Sequence, residues 1–221
     1  MRRGAFITLE GGEGCGKSTQ ARRLAAWLGE RGVRTLPVRE PGGSPLPEAV
    51  RSMLKRGIDG DTPCDRAELL LFLAARAQLV EKIIVPALES GVWVVSDRFS
   101  DSTAAYQGAG RGLDADFIKA ANGFACAGLS PDLTILLELP RETALRRICA
   151  RKAAGGAGDR IEDENEAFHS RIAAAFRAIA ASEPGRVATI DASGTPEEVF
   201  AAVSTVVQKR FFASVPGAER S

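Results

Sequence analysis

The residues with the plainest chemistry stand near the start of the chain, in Gly11-Gly12-Glu13-Gly14-Cys15-Gly16-Lys17-Ser18-Thr19. Their spacing fits G-x-x-x-x-G-K-[ST], the pattern of a loop that cradles the phosphates of a nucleoside triphosphate. The glycines let the backbone curl until successive N–H groups point at phosphate oxygens, and a helix behind the loop adds its positive end. Lys17 carries a cation to the β- and γ-phosphates, and the Ser18 hydroxyl suits Mg2+. A second reactive pair, Asp97-Arg98, closes the apolar run Val92-Trp93-Val94-Val95-Ser96. A strand ending there delivers both side chains to the loop side. Arg98 then has the fork of donors needed to bridge two phosphates, and Asp97 can hold water on Mg2+ or orient Arg98. The plainer alternative is a structural ion pair at a strand end.

These groups need a frame. Ala5 to Glu10 is a short apolar segment of strand formers ahead of the loop, and Ala21, Leu24, Ala25 and Leu28 behind it fall at helical spacing. Further strands are expected over Arg34–Arg39, Val92–Arg98, Asp132–Leu139 and Val187–Asp191. Helices are expected over Pro47–Leu54, Asp65–Val85, Asp101–Gln107, Asp114–Ala127, Arg141–Arg151, Glu164–Ser182 and Thr195–Lys209. Pro86 should kink the long helix or end its first segment. Gly108-Ala109-Gly110-Arg111-Gly112 reads as a flexible loop. Strands alternating with helices argue for an α/β fold, a five-stranded parallel sheet covered on both faces, with the active site at the strand ends.

At 221 residues the chain is one domain in size, and 29 basic against 28 acidic residues leave a net charge of +1. That balance argues against nucleic acid or a membrane surface as the main partner. The apolar runs are strand-sized, and Met1-Arg2-Arg3 leads straight into the first strand without a signal peptide. Cys15, Cys64, Cys126 and Cys149 are far apart in sequence, which suits reduced thiols in the cytoplasm. His169 is the only histidine, so a histidine-based triad or a histidine-rich metal site is excluded. Residues 1–212 read as a single domain and 213–221 as a flexible tail.

Four further stretches narrow the reading: Arg39-Glu40-Pro41-Gly42-Gly43; Leu71-Phe72-Leu73-Ala74-Ala75-Arg76; Asp97-Arg98-Phe99-Ser100-Asp101-Ser102-Thr103-Ala104-Ala105-Tyr106-Gln107-Gly108; and Asp159-Arg160-Ile161-Glu162. With the phosphate loop, and in this order, they resemble bacterial thymidylate kinases. The resemblance implies a P-loop nucleoside monophosphate kinase fold, phosphorylation of dTMP to dTDP with ATP and Mg2+ in the supply of dTTP, and a homodimer built on long helices. It also implies a ring of Phe72 stacked on thymine, Arg76 at a base carbonyl, and Arg51 on the acceptor phosphate. Glu13 would lie near the acceptor sugar and Glu40 along the site. Thr103 and Gln107 suit the edge of a pyrimidine, and Tyr106 packs on the sugar against a 2′-hydroxyl. Taken without the resemblance, Phe72 reads as core, Thr103 and Gln107 as helix polarity, and Arg51 as a solvated arginine.

One branch of the family places an arginine inside the phosphate loop, and Gly12-Glu13-Gly14-Cys15 has none. The other branch takes that cation from a lid, here about 150–162, where Arg151, then Arg147 and Arg160, are the candidates. Rival readings are a monophosphate kinase for another base, a P-loop switch protein, and a nucleic-acid-stimulated ATPase. The switch protein would need an Asn-Lys-x-Asp motif that the chain lacks, and the balanced charge opposes the last.

Overall fold

The computed structural model describes residues 3–155 and 160–212. The sheet has five parallel strands: β1 (Phe6–Glu10), β2 (Thr35–Arg39), β3 (Trp93–Asp97), β4 (Leu133–Glu138) and β5 (Val187–Asp191), in the order β2-β3-β1-β4-β5. Successive side chains of a strand point to opposite faces, so one short run feeds two cores. Ile7 and Leu9 of β1, Val95 of β3, and Ile135 and Leu137 of β4 meet Leu24 and Leu28 of α1 (Lys17–Gly29) and Val203 and Val207 of α9 (Pro196–Phe211). The intervening Phe6 and Val94 meet Leu79, Val80, Ile84, Leu88 and Phe99 on the opposite face. Leu136 on that face meets Tyr106, Phe168, Ile172 and Phe176.

Between the strands run α2 (Pro45–Arg56), α3 (Asp65–Leu79), α4 (Val85–Glu89), α5 (Ser100–Thr103), α6 (Ala115–Ala125), α7 (Arg141–Ala153) and α8 (Glu166–Ser182). The expected long helix over 65–85 is α-helical only to Leu79. A widened π-helical turn, Val80–Ile84, follows without a break in the helical backbone, and Pro86 sits at the start of α4 just beyond it. Another π-helical turn, Ala104–Gly110, continues α5. It takes in much of the stretch expected to be a flexible loop. A Cβ on Gly110 would lie 2.7 Å from the Phe168 ring, and Arg171 donates to the carbonyl oxygens of Ala109 at 3.0 Å and Gly110 at 2.6 Å. Gly110 thus serves close packing against α8, whereas Gly112 holds a left-handed φ of 72°. Residues 156–159, with Asp159 and most of the glycine run, and the tail from Ala213 lie outside the described residues. Among the described residues no helix is long and apolar enough to cross a membrane, and all four cysteines are free, Cys15 and Cys126 buried, Cys64 and Cys149 exposed.

Candidate active site

The C-terminal ends of β1, β2 and β3 open into one cleft of about 1160 Å3. The phosphate loop forms one end. Gly11 and Gly14 hold φ of 138° and 75°, and a Cβ on them would fall 2.4 Å from the Leu137 carbonyl oxygen and 2.9 Å from that of Ala144. Only glycine fits both the curl and the approach of the neighbouring backbone. Cys15 is buried in the core beneath. α1 starts at Lys17, so Lys17, Ser18 and Thr19 occupy the first turn, whose N–H groups have no partner within the helix. The Lys17 Nζ donates to the carbonyl oxygens of Gly12 at 2.7 Å and Gly11 at 3.1 Å, folding the cation back over the loop. The Ser18 hydroxyl donates to the Asp97 carboxylate. Two hard oxygen ligands at the loop's edge fit Mg2+, which takes few protein ligands and keeps water or phosphate on the others.

Arg98 stands at the centre. Its backbone is left-handed, φ 74°, which turns the side chain out of the strand line. The guanidinium donates to Gly11 O at 3.3 Å, Ser102 Oγ at 3.0 Å, Tyr106 OH at 3.1 Å and the Glu13 carboxylate. Burial alone would push the Glu13 carboxyl up, but the Arg98 and Lys17 charges and the Tyr106 hydrogen bond outweigh it and hold it at about 2. Behind Arg98 lies Glu10, fully buried at the end of β1. It accepts from Phe99 N at 2.7 Å and from Ser102 Oγ at 2.6 Å. Burial, and then the nearby Asp101 charge, push its carboxyl up to about 8, against the pull of Ser102 and Arg98.

The other end is walled by Phe72, Arg76, Thr103 and Gln107, with Arg51 of α2 lining the side and donating to Pro41 O at 3.1 Å. Phe72 packs beside Val50, Leu54 and Ala75. Arg76 is buried, and protein groups take every direction of its fork: Glu40 at 2.8 and 2.6 Å, Thr103 Oγ1 at 2.9 Å, Asn122 Oδ1 at 2.7 Å and Phe99 O at 3.0 Å. A base carbonyl reaching Arg76 must share or displace one of these. Burial pushes the Glu40 carboxyl up even though Arg76 draws it down. Glu40 therefore lines the site as the anchor of Arg76.

Arg147 and Arg151, one turn apart on α7, both line the cleft near Lys17 and Glu13. Arg147 donates to Ser193 O at 3.2 Å and Gly194 O at 3.0 Å, and Arg151 pairs with Glu162. Arg160 stands apart from them: it pairs with Glu68 of α3, toward the Gln107 end. The sequence reading missed Glu10, Ser102, Asn122, Glu162 and Glu68. Two of these carry a signal in the sequence. Glu10 is an acid at the end of an apolar strand, and Glu68, Phe72 and Arg76 recur every four residues along one helix face.

The family model described as thymidylate kinase matches residues 9–203. A thymidylate kinase of Rhizorhabdus wittichii is 51% identical over 198 residues, 90% of this chain and 94% of that protein. One from Synechococcus sp. (strain JA-3-3Ab) is 47% identical over 96% of this chain and 98% of its own length. The solved thymidylate kinase of Ehrlichia chaffeensis superposes with a TM-score of 0.73 at 33% identity, covering 93% of this chain and 99% of that one. The cleft that the phosphate loop, Arg98 and the Phe72–Arg76 wall enclose is thus set in a chain that belongs to the thymidylate kinase family.

Proposed function

We propose that the cleft phosphorylates dTMP to dTDP with ATP, the transfer running past Arg98. The observation that carries this reading is the continuity of the cleft. A phosphate loop stands at one end, an aromatic ring with polar partners at the other, and the Arg98 guanidinium lies between. Phosphoryl transfer asks for positioning and charge neutralisation more than covalent help, and the residues supply both. The loop N–H groups and Lys17 hold the donor phosphates. Arg98, braced by Ser102 and Tyr106, bridges donor and acceptor. Ser18 and Asp97 would hold Mg2+, which would supply charge neutralisation on the donor phosphates. Arg51 meets the acceptor phosphate, Phe72 stacks on thymine, and Tyr106 with Glu13 borders the sugar. Arg151, with Arg147 beside it, supplies the cation that the loop lacks.

Phe117 and Phe124, two turns apart on one face of α6, are exposed, as is Leu70 of α3. This face supports a homodimer through α3 and α6. The free thiols support a cytoplasmic setting. The decisive experiment is ADP release measured across dTMP, dUMP, dCMP, AMP and GMP. The reading requires dTMP to be best or equal best, and faster turnover of AMP, CMP-type or GMP acceptors would overturn it.

A further inference from the structure

Glu68 is 1% exposed, an acid on the face of α3 that also carries Phe72 and Arg76. It accepts from the Gln107 side-chain nitrogen at 2.9 Å. Arg111 donates to both of its oxygens at 3.3 Å, and Arg160 pairs with it as well. Two guanidinium groups donate to its two oxygens, so Glu68 acts as an acceptor there. An amide has one donating and one accepting end, so its nitrogen must face Glu68, since the opposite flip would set two acceptors against each other in a buried site. Gln107 lines the cleft, and the end left for a ligand is its oxygen.

Thr103, four residues earlier, is fixed in the complementary sense. Its Oγ1 accepts from Arg76 at 2.9 Å, and a guanidinium only donates, so the hydroxyl proton points away and remains a donor. The pocket therefore offers an acceptor at Gln107 and a donor at Thr103. Thymine and uracil present a ring N–H beside a carbonyl oxygen. Cytosine presents a ring nitrogen acceptor beside an amino group; the Thr103 hydroxyl keeps a lone pair that could take the amino group, so the mismatch falls at the Gln107 oxygen.

We propose that Glu68 is a specificity-positioning residue: it fixes the Gln107 amide so that the cleft reads the ring N–H of the acceptor base and rejects cytosine. This deepens the dTMP-kinase reading and rests on it. The alternative role, neutralising Arg111 and Arg160, would lower turnover of every acceptor alike.

The test is kcat/KM for dTMP, dUMP and dCMP in the wild type, Glu68→Gln and Glu68→Asp. Glutamine keeps the volume but can donate, so both flips of Gln107 become available. The expected result is a fall of at least about tenfold in the dTMP/dCMP ratio for Glu68→Gln, with the dTMP/dUMP ratio unchanged because both bases carry the ring N–H. Glu68→Asp, still an acceptor only, should keep most of the dTMP/dCMP discrimination. A folded Glu68→Gln that retains the wild-type ratio overturns the proposal while leaving the dTMP-kinase reading intact. A wild type that does not favour dTMP over dCMP overturns that reading instead. A crystal structure of the wild type with dTMP decides the matter even where the variants fail to fold. Gln107 should bridge Glu68 and the ring nitrogen, and a Gln107 that has left Glu68 or misses the ring overturns the proposal.

Discussion

Lys17 and Arg98 carry positive charge to the same point by different means. Lys17 is a point charge on a flexible stem, and Arg98 is a planar fork locked by four partners. Lys17→Ala should lower kcat about 100- to 1,000-fold, the usual cost of losing one preorganised charge donor. Arg98→Lys should lower it about 10- to 100-fold, the equivalent of one charged hydrogen bond. Steady-state kinetics on variants with native circular dichroism checks both, and near-wild-type kcat in either refutes that residue's role. Glu10 makes a separate prediction about stability. Its carboxyl is raised from 4.5 to about 8 in the fold, so the folded chain holds this proton longer than the unfolded chain does. Its contribution is fully present below its ordinary value and is lost as pH rises through about 8. Glu13, held at about 2, behaves in the opposite sense, its contribution fading only as pH falls from 4.5 toward 2, so it is constant at neutral pH. His169, pushed down chiefly by burial, loses its contribution on acidification, equally in the two proteins to be compared. Thermal melts between about pH 5 and about pH 8.5 should therefore fall more steeply for the wild type than for Glu10→Gln, which mimics the protonated acid. Parallel pH profiles would show that Glu10 does not titrate in that range.

Elements set which of these residues meet. α7 presents Arg147 and Arg151 to the cleft from one face, and Glu162 holds Arg151 ready. Alanine at Arg151 should slow the single-turnover rate with little change in ATP affinity. The loss should be smaller than the roughly 1,000-fold or more of a lone arginine finger, because Lys17 and Arg98 share the charge. An unchanged rate in the Arg147, Arg151 double variant would leave α7 as a cover only. What the sequence revealed at this scale follows from distance along the chain. The phosphate loop and Asp97-Arg98 are local patterns at strand ends, and the five strands show in their apolar runs. Glu10, Ser102 and Glu68 act through partners dozens of positions away, which no local pattern encodes. The two π-helical turns interrupt stretches that read as plain helix or loop, and Gly110 misleads because it lies against the Phe168 ring rather than freeing the chain. Arg76 was legible as a site residue, but its saturation by Glu40, Thr103, Asn122 and Phe99 was not.

At the scale of the whole molecule, the exposed apolar residues of α3 and α6 are the surface on which the proposed homodimer rests. Phe124 is 88% exposed, the most of any large apolar residue described, and Phe117 and Leu70 are exposed as well. Phe124→Asp should convert a dimer to a monomer in sedimentation velocity, and a wild-type chain that sediments as a monomer would remove the basis for the assignment. The distribution of thiols has a spectroscopic consequence. Cys64 precedes α3 on the acceptor side and Cys149 lies on α7 on the donor side, both exposed, whereas Cys15 and Cys126 are shielded. The native chain thus carries one label site on each bank of the cleft without any engineering. A thiol-reactive dye should modify two cysteines quickly in the folded protein and four after unfolding. Four fast-reacting thiols in the folded protein would contradict the shielding. With a donor and an acceptor fluorophore on that pair, energy transfer becomes a ruler between the two banks, read as ATP and dTMP are added in either order.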